Sequence, residues 1–125
     1  MTEINPTERN DLIDTLIWVM RGWGLDNKEQ VRLLGFPDGT PARSLQQYRQ
    51  GKAMPNETVF LQHAELILAI YRAISSFFPG NSTMANYWVT TPSAPFGGRA
   101  PLEIMLADGL EGMRYCLDHL HGEHW

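Results

Sequence analysis

Residues 57–78 read ETVFLQHAELILAIYRAISSFF, and this stretch decides the fold. Its apolar side chains recur at 60, 64, 67, 71, 74 and 78, with a second line at 59, 66, 70, 73 and 77. Both lines have helical spacing and run side by side along one helix; strand-like alternation is missing. Thr58, Gln62, Glu65, Arg72 and Ser76 make its one clearly polar line. A helix apolar over so much of its circumference has to be covered on most sides. It is expected to be the central strut of an all-α fold; the competing expectation is a face buried between two copies of the chain.

The same periodicity extends in both directions, punctuated by helix caps. Asn5-Pro6-Thr7-Glu8 predicts a helix start, with an Asn cap, Pro at the first position and Glu at the third. That helix carries Leu12, Leu16, Val19 and Trp23 on one stripe, Ile13, Ile17 and Met20 beside it, and ends at Gly22 and Gly24. Asp26-Asn27-Lys28-Glu29 opens a short helix with Val31 and Leu34 inward, closed by Gly35. After the turn Phe36-Pro37-Asp38-Gly39, Thr40-Pro41 is expected to cap a third helix with Ala42, Leu45 and Tyr48 inside, stopping at Gly51. Met54-Pro55-Asn56 separates it from the long helix, which Pro79-Gly80 ends. Asn81-Ser82 can cap the next helix, with Met84, Tyr87 and Trp88, halted at Pro92. A stiff loop over 92–101 leads to a short helix from Pro101 and Glu103 through Ala107, then past Gly109 to a last helix with Leu110, Met113, Leu117 and Leu120. The expected order is an N-terminal helix-turn-helix over residues 1–55, then the long connecting helix and a small C-terminal helical bundle over residues 56–125.

A chain of 125 residues with 43% hydrophobic content can bury a core, which argues against disorder. Its most apolar stretch, 66–74, is interrupted by Arg72 and is too short to span a bilayer, so a soluble, cytoplasmic protein is expected. Cys116 is the single cysteine, which rules out an intramolecular disulfide. The net charge of −4 is unevenly spread. Residues 1–27 are net −3, residues 28–52 are net +3 through Lys28, Arg32, Arg43, Arg49 and Lys52, and the remainder is net −4. One basic segment between two acidic ones suits phosphates, and the acidic remainder does not.

Segment 26–52 has the proportions of a helix-turn-helix. With Ala42, Leu45 and Tyr48 inward, the DNA-binding candidates are Arg43, Ser44, Gln46, Gln47, Arg49 and Lys52. Arg can fork onto guanine and Gln onto adenine, while Lys52 suits a phosphate. A merely solvated helix face is an equal reading, and the turn 35–40 is longer than the tight turn of that motif. The tail holds Cys116, His119, His121 and His124, but without the paired spacing of a structural zinc site, so no metal is expected. His119 and His121 read as a solvated helix end, favourable near the C-terminal dipole, and His63 as a surface or boundary residue. Phe96-Gly97-Gly98-Arg99 lacks the spacing of a phosphate loop, and Cys116 lacks an activating partner beyond His119, so neither catalysis nor a cofactor is expected.

Loop 92–101 puts Phe96 and Arg99 on a frame stiffened by prolines. One reading is a recognition loop with an aromatic and an Arg as anchors. The other is a tight connection whose glycines take positive φ while Phe96 caps the core.

The run from Leu61 to Leu120 resembles the C-terminal toxin-binding domain of the Xre/MbcA/ParS antitoxins. The resemblance is carried by Ile70-Tyr71-Arg72-Ala73, Phe78-Pro79, Tyr87-Trp88-Val89-Thr90-Thr91-Pro92, Phe96-Gly97-Gly98-Arg99-Ala100-Pro101-Leu102 and Gly109-Leu110-Glu111-Gly112. Residues 30–35 and 48–52 are similar, more loosely, to the helix-turn-helix of these antitoxins. The resemblance implies an antitoxin of a type II toxin–antitoxin pair, a cognate RES-domain toxin that consumes NAD⁺, capping of the toxin's active site, autoregulation on operator DNA, and a homodimer. It implies toxin contacts at Trp88, the loop residues Phe96, Gly97, Gly98 and Arg99, and Leu117, His121, Glu123 and Trp125 of the last helix and tail. Trp88 equally fits a core position. The alternative function is a DNA-binding transcriptional regulator whose C-terminal bundle serves only dimerisation.

Overall fold

A computed structural model describes residues 5–122; Glu123 and Trp125, expected at a toxin contact, and His124 lie outside the described residues. The described chain folds into seven α-helices with one 3-10 turn and no strand: α1 (Pro6–Gly22), α2 (Asn27–Leu33), α3 (Ser44–Arg49), α4 (Glu57–Phe77), α5 (Ser82–Thr90), the 3-10 turn (Ala94–Phe96), α6 (Pro101–Asp108) and α7 (Leu110–Leu120).

Local capping chemistry sets most of these boundaries. The Asn5 side chain accepts from the Glu8 N–H at 2.8 Å. Asp26 and Glu29 form a reciprocal capping box, the Asp26 carboxylate accepting from Glu29 N–H at 2.8 Å and the Glu29 carboxylate from Asp26 N–H at 3.0 Å. Asn56 and Asn81 cap α4 and α5 through the N–H groups of Val59 and Met84. The start of α3 departs from expectation. Thr40 donates its hydroxyl to the Pro37 carbonyl at 2.6 Å and belongs to the preceding turn, four residues ahead of the helix start. Helix α3 therefore begins at Ser44 and is six residues long.

The long helix is the central strut. It buries Phe60, Ala64, Ile67, Ile70 and Ile74 and packs against α1, α5 and α7. Ile13, Leu16, Met20 and Trp23 of α1 come to it from one side, and Met113, Cys116 and Leu120 of α7 from another, in one continuous core. An Arg9–Glu57 ion pair at 3.9 Å joins the starts of α1 and α4.

His63 belongs to this core rather than to a boundary: it is buried, its Nδ1 lies 3.0 Å from the Leu33 carbonyl, and its ring packs on Gly35. It ties α4 to the end of α2. Desolvation lowers its pKa below the ordinary imidazole value, the Leu33 hydrogen bond opposes this, and the Arg114 charge on α7 adds to the lowering. A depressed histidine pKa means the folded state resists the proton that the unfolded chain accepts. The stability carried by neutral His63 is therefore full above about pH 6.5 and is lost as pH falls from there through the depressed value. Urea midpoints should fall more steeply between about pH 7 and pH 5 for the wild type than for His63→Gln, which removes the titrating group. Parallel profiles would exclude His63 as the cause.

Candidate functional site: a loop-capped helical surface

The C-terminal surface is organised by the loop between α5 and α6. Thr91 and Pro92 end α5, and the chain turns back on itself so that Ser93 pairs with Arg99, the Ser93 N–H donating to the Arg99 carbonyl at 3.3 Å and the Gly98 N–H to the Ser93 carbonyl at 3.0 Å. Closing so short a circuit takes two successive residues at positive φ, +66° at Gly97 and +80° at Gly98, where side chains are disfavoured. The loop is then held to α7 by the Tyr115 hydroxyl, which donates to the Pro95 carbonyl at 2.8 Å.

Phe96 faces inward. It is 4% exposed, and its ring meets Trp88 of α5 at 5.9 Å and Tyr115 and His119 of α7 at 5.6 and 5.0 Å, all edge-on. Of the two readings of the loop, the core-capping one holds for Phe96: the aromatic anchors the loop from within and offers a partner almost no surface. Trp88 is half-buried beside it, packed against the core with part of its surface outward, while Gly97, Gly98 and Arg99 are exposed. Among the described residues Arg99 forms no ion pair, with neither Glu103 nor Asp108. Glu103 instead accepts the Ala100 N–H at 3.0 Å and starts α6.

Below the loop a groove of about 430 Å³ runs between the 3-10 turn and the α6–α7 corner, lined by Pro95, Gly97, Arg99, Asp108, Glu111 and Tyr115 among others. Its walls are close because α6 and α7 cross at Gly112, where an added methyl would lie 2.4 Å from the Ile104 carbonyl oxygen. Asp108, Glu111 and Tyr115 were not among the expected site residues. The i, i+4 spacing of Glu111 and Tyr115 on an amphipathic helix was the available signal. Leu117 is half-buried and His121 exposed, at the far end of α7. Cys116 and His119 are both buried, Cys116 donating to the Pro101 carbonyl at 3.6 Å. Burial pushes the Cys116 thiol up to about 12, far from thiolate reactivity.

The basic segment is arranged differently from expectation at two positions. Ser44, the first residue of α3, is 4% exposed and offers a partner almost no surface. Arg49 grips Asp14 of α1 with two hydrogen bonds, of 2.5 and 3.1 Å, and this contact holds the Asp14 carboxyl below the usual carboxylate range. Arg43 and Gln46 are exposed, Gln47 is half-buried, and the exposed Lys52 ammonium donates to the Gln47 side-chain oxygen Oε1 at 3.3 Å.

A rigid loop with an exposed Arg, anchored by a buried aromatic and set beside a groove, has the anatomy of a protein-docking surface. Residues 74–122 match the family model of the antitoxin Xre/MbcA/ParS C-terminal toxin-binding domain. The match runs from the last turn of α4 through the end of α7 and so contains the whole loop, the groove and the Gly112 crossing. No curated protein matches the chain. No helix among the described residues is long and apolar enough to cross a membrane.

Proposed function

We propose that this chain is an antitoxin that neutralises a RES-domain, NAD⁺-consuming toxin by laying its C-terminal helical domain over the toxin's active-site entrance. The match of residues 74–122 to a toxin-binding domain carries the reading, and the geometry supports it. Arg99, the Gly97–Gly98 turn and the groove beside Tyr115 stand on a frame locked from inside by Phe96, so little ordering entropy is lost on docking. Net negative charge over residues 53–125 complements a site that accepts an anionic dinucleotide and speeds encounter. Stable capping needs an interface of about 1,600 Å², more than one loop offers, so α7 with Leu117 and His121 contributes, as does the tail with Glu123 and Trp125. The segment α2–α3 serves as the DNA-binding part, and the pair represses its own operon, most simply as a homodimer with two-fold symmetry.

Co-expression with the product of the neighbouring gene tests this. Cells should keep their NAD⁺ and grow, the two proteins should co-purify, and Arg99→Glu should weaken the complex without unfolding the chain. Depletion of NAD⁺ despite co-expression would sink the assignment.

A further inference from the structure

A second cleft, of about 470 Å³, lies between α1, α2 and α3. We infer that it seats one backbone phosphate of duplex DNA, with Arg21 of α1 acting beside Arg43. The inference rests on the reading of α2–α3 as a DNA-binding part. Ile17 and Leu45 form the buried floor of this cleft, and Arg21, Arg43, Asn27 and Gln46 stand exposed at its rim. No carboxylate is among its lining residues. Asp26 and Glu29 are turned to each other's N–H groups in the capping box, and Asp14 is neutralised by Arg49.

Two guanidinium groups and two carboxamides on a neutral floor match a phosphodiester, which offers acceptor oxygens and a single negative charge. The rim is also pre-set. Buried Gln30 of α2 donates to the Leu25 carbonyl at 3.1 Å, holding the connection that follows α1 against α2. Arg21 is invisible to a charge count along the chain, because it sits in the net-acidic segment 1–27. Folding brings it to the basic segment.

Binding of the full chain to a duplex from the promoter of its own gene, titrated between about 50 and 200 mM salt, tests the assignment. Arg21→Ala should weaken binding about tenfold at the low end and reduce the slope of log K against log salt by a fraction of one, because Arg43 keeps its charge beside the shared phosphate. Arg21→Gln, which keeps much of the stem, should lose the same slope, and Arg21→Lys should keep it. Arg21→Ala/Arg43→Ala should lose less than the product of the single losses, because both side chains share one phosphate. Wild-type affinity and slope in Arg21→Ala, alongside impaired Arg43→Ala, would overturn the phosphate seat and leave the DNA-binding reading standing. Failure of the wild-type chain to bind the promoter at all would overturn both.

Discussion

Phe96→Ala is expected to lower the unfolding free energy by about 3–5 kcal/mol and to abolish toxin neutralisation. The ring is 4% exposed and touches aromatic side chains of two helices, Trp88 on α5 and Tyr115 and His119 on α7. Its removal leaves a cavity that the loop cannot fill by collapsing, because the Ser93–Arg99 pairing and the Tyr115–Pro95 hydrogen bond hold the backbone away. The edge-on contacts add a preference that an aliphatic side chain does not satisfy, so Phe96→Leu should restore part of the stability and not all of it. Native domains have only about 5–15 kcal/mol in hand, so the alanine variant approaches the unfolding threshold. Urea unfolding followed by far-UV circular dichroism measures the first effect, and growth on co-expression the second. A variant as stable as wild type that still fails to neutralise would mean that Phe96 contacts the toxin directly, contrary to its burial.

Gly112→Ala carries the next largest effect, and its sign makes it informative. In an unobstructed helix interior, glycine to alanine stabilises by about 0.5–1 kcal/mol. At Gly112 the new methyl would lie 2.4 Å from the Ile104 carbonyl oxygen, 2.9 Å from its carbonyl carbon and 3.1 Å from the Asp108 Cβ. The nearest obstacles are backbone atoms of α6, which cannot rotate aside as a side chain would. The two helices have to separate, opening the groove between them, and the overpacking cost is about 1–3 kcal/mol. A fall in the urea midpoint with a weaker toxin complex is expected. A rise in the midpoint would show that α6 and α7 can part without loss.

The helices and their order were largely legible in the chain, and the reason is that the signals are local. A cap such as Asn5, Asp26 or Asn81 satisfies N–H groups within three residues of itself, whatever the rest of the molecule does. The apolar stripes of the long helix require cover at 60, 64, 67 and 74, and these positions are buried in the central strut. Thr40 was misread because a Thr-Pro pair suits a helix start and a turn equally. The Pro37 carbonyl, three residues back, decided between them.

The candidate site was legible as a segment and only partly as a surface. The toxin-binding role was read from the loop between Pro92 and Pro101 with its flanking helices, a matter of order and spacing along the chain. Tertiary structure decided what each residue of that loop does, because the direction of a side chain depends on which non-local cavity accepts it. Phe96 goes inward because α5 and α7 together leave an aromatic-lined hole for it, and Arg99 is left outside. His63 loses solvent for the same kind of reason, through the end of α2, thirty residues before it in sequence. Arg21 reaches the rim it shares with Arg43 because α1 folds back against α3. Periodicity and capping act over a few residues and so are written in the sequence. Burial, pairing and charge neighbourhood act across the packed core, and only the fold can set them.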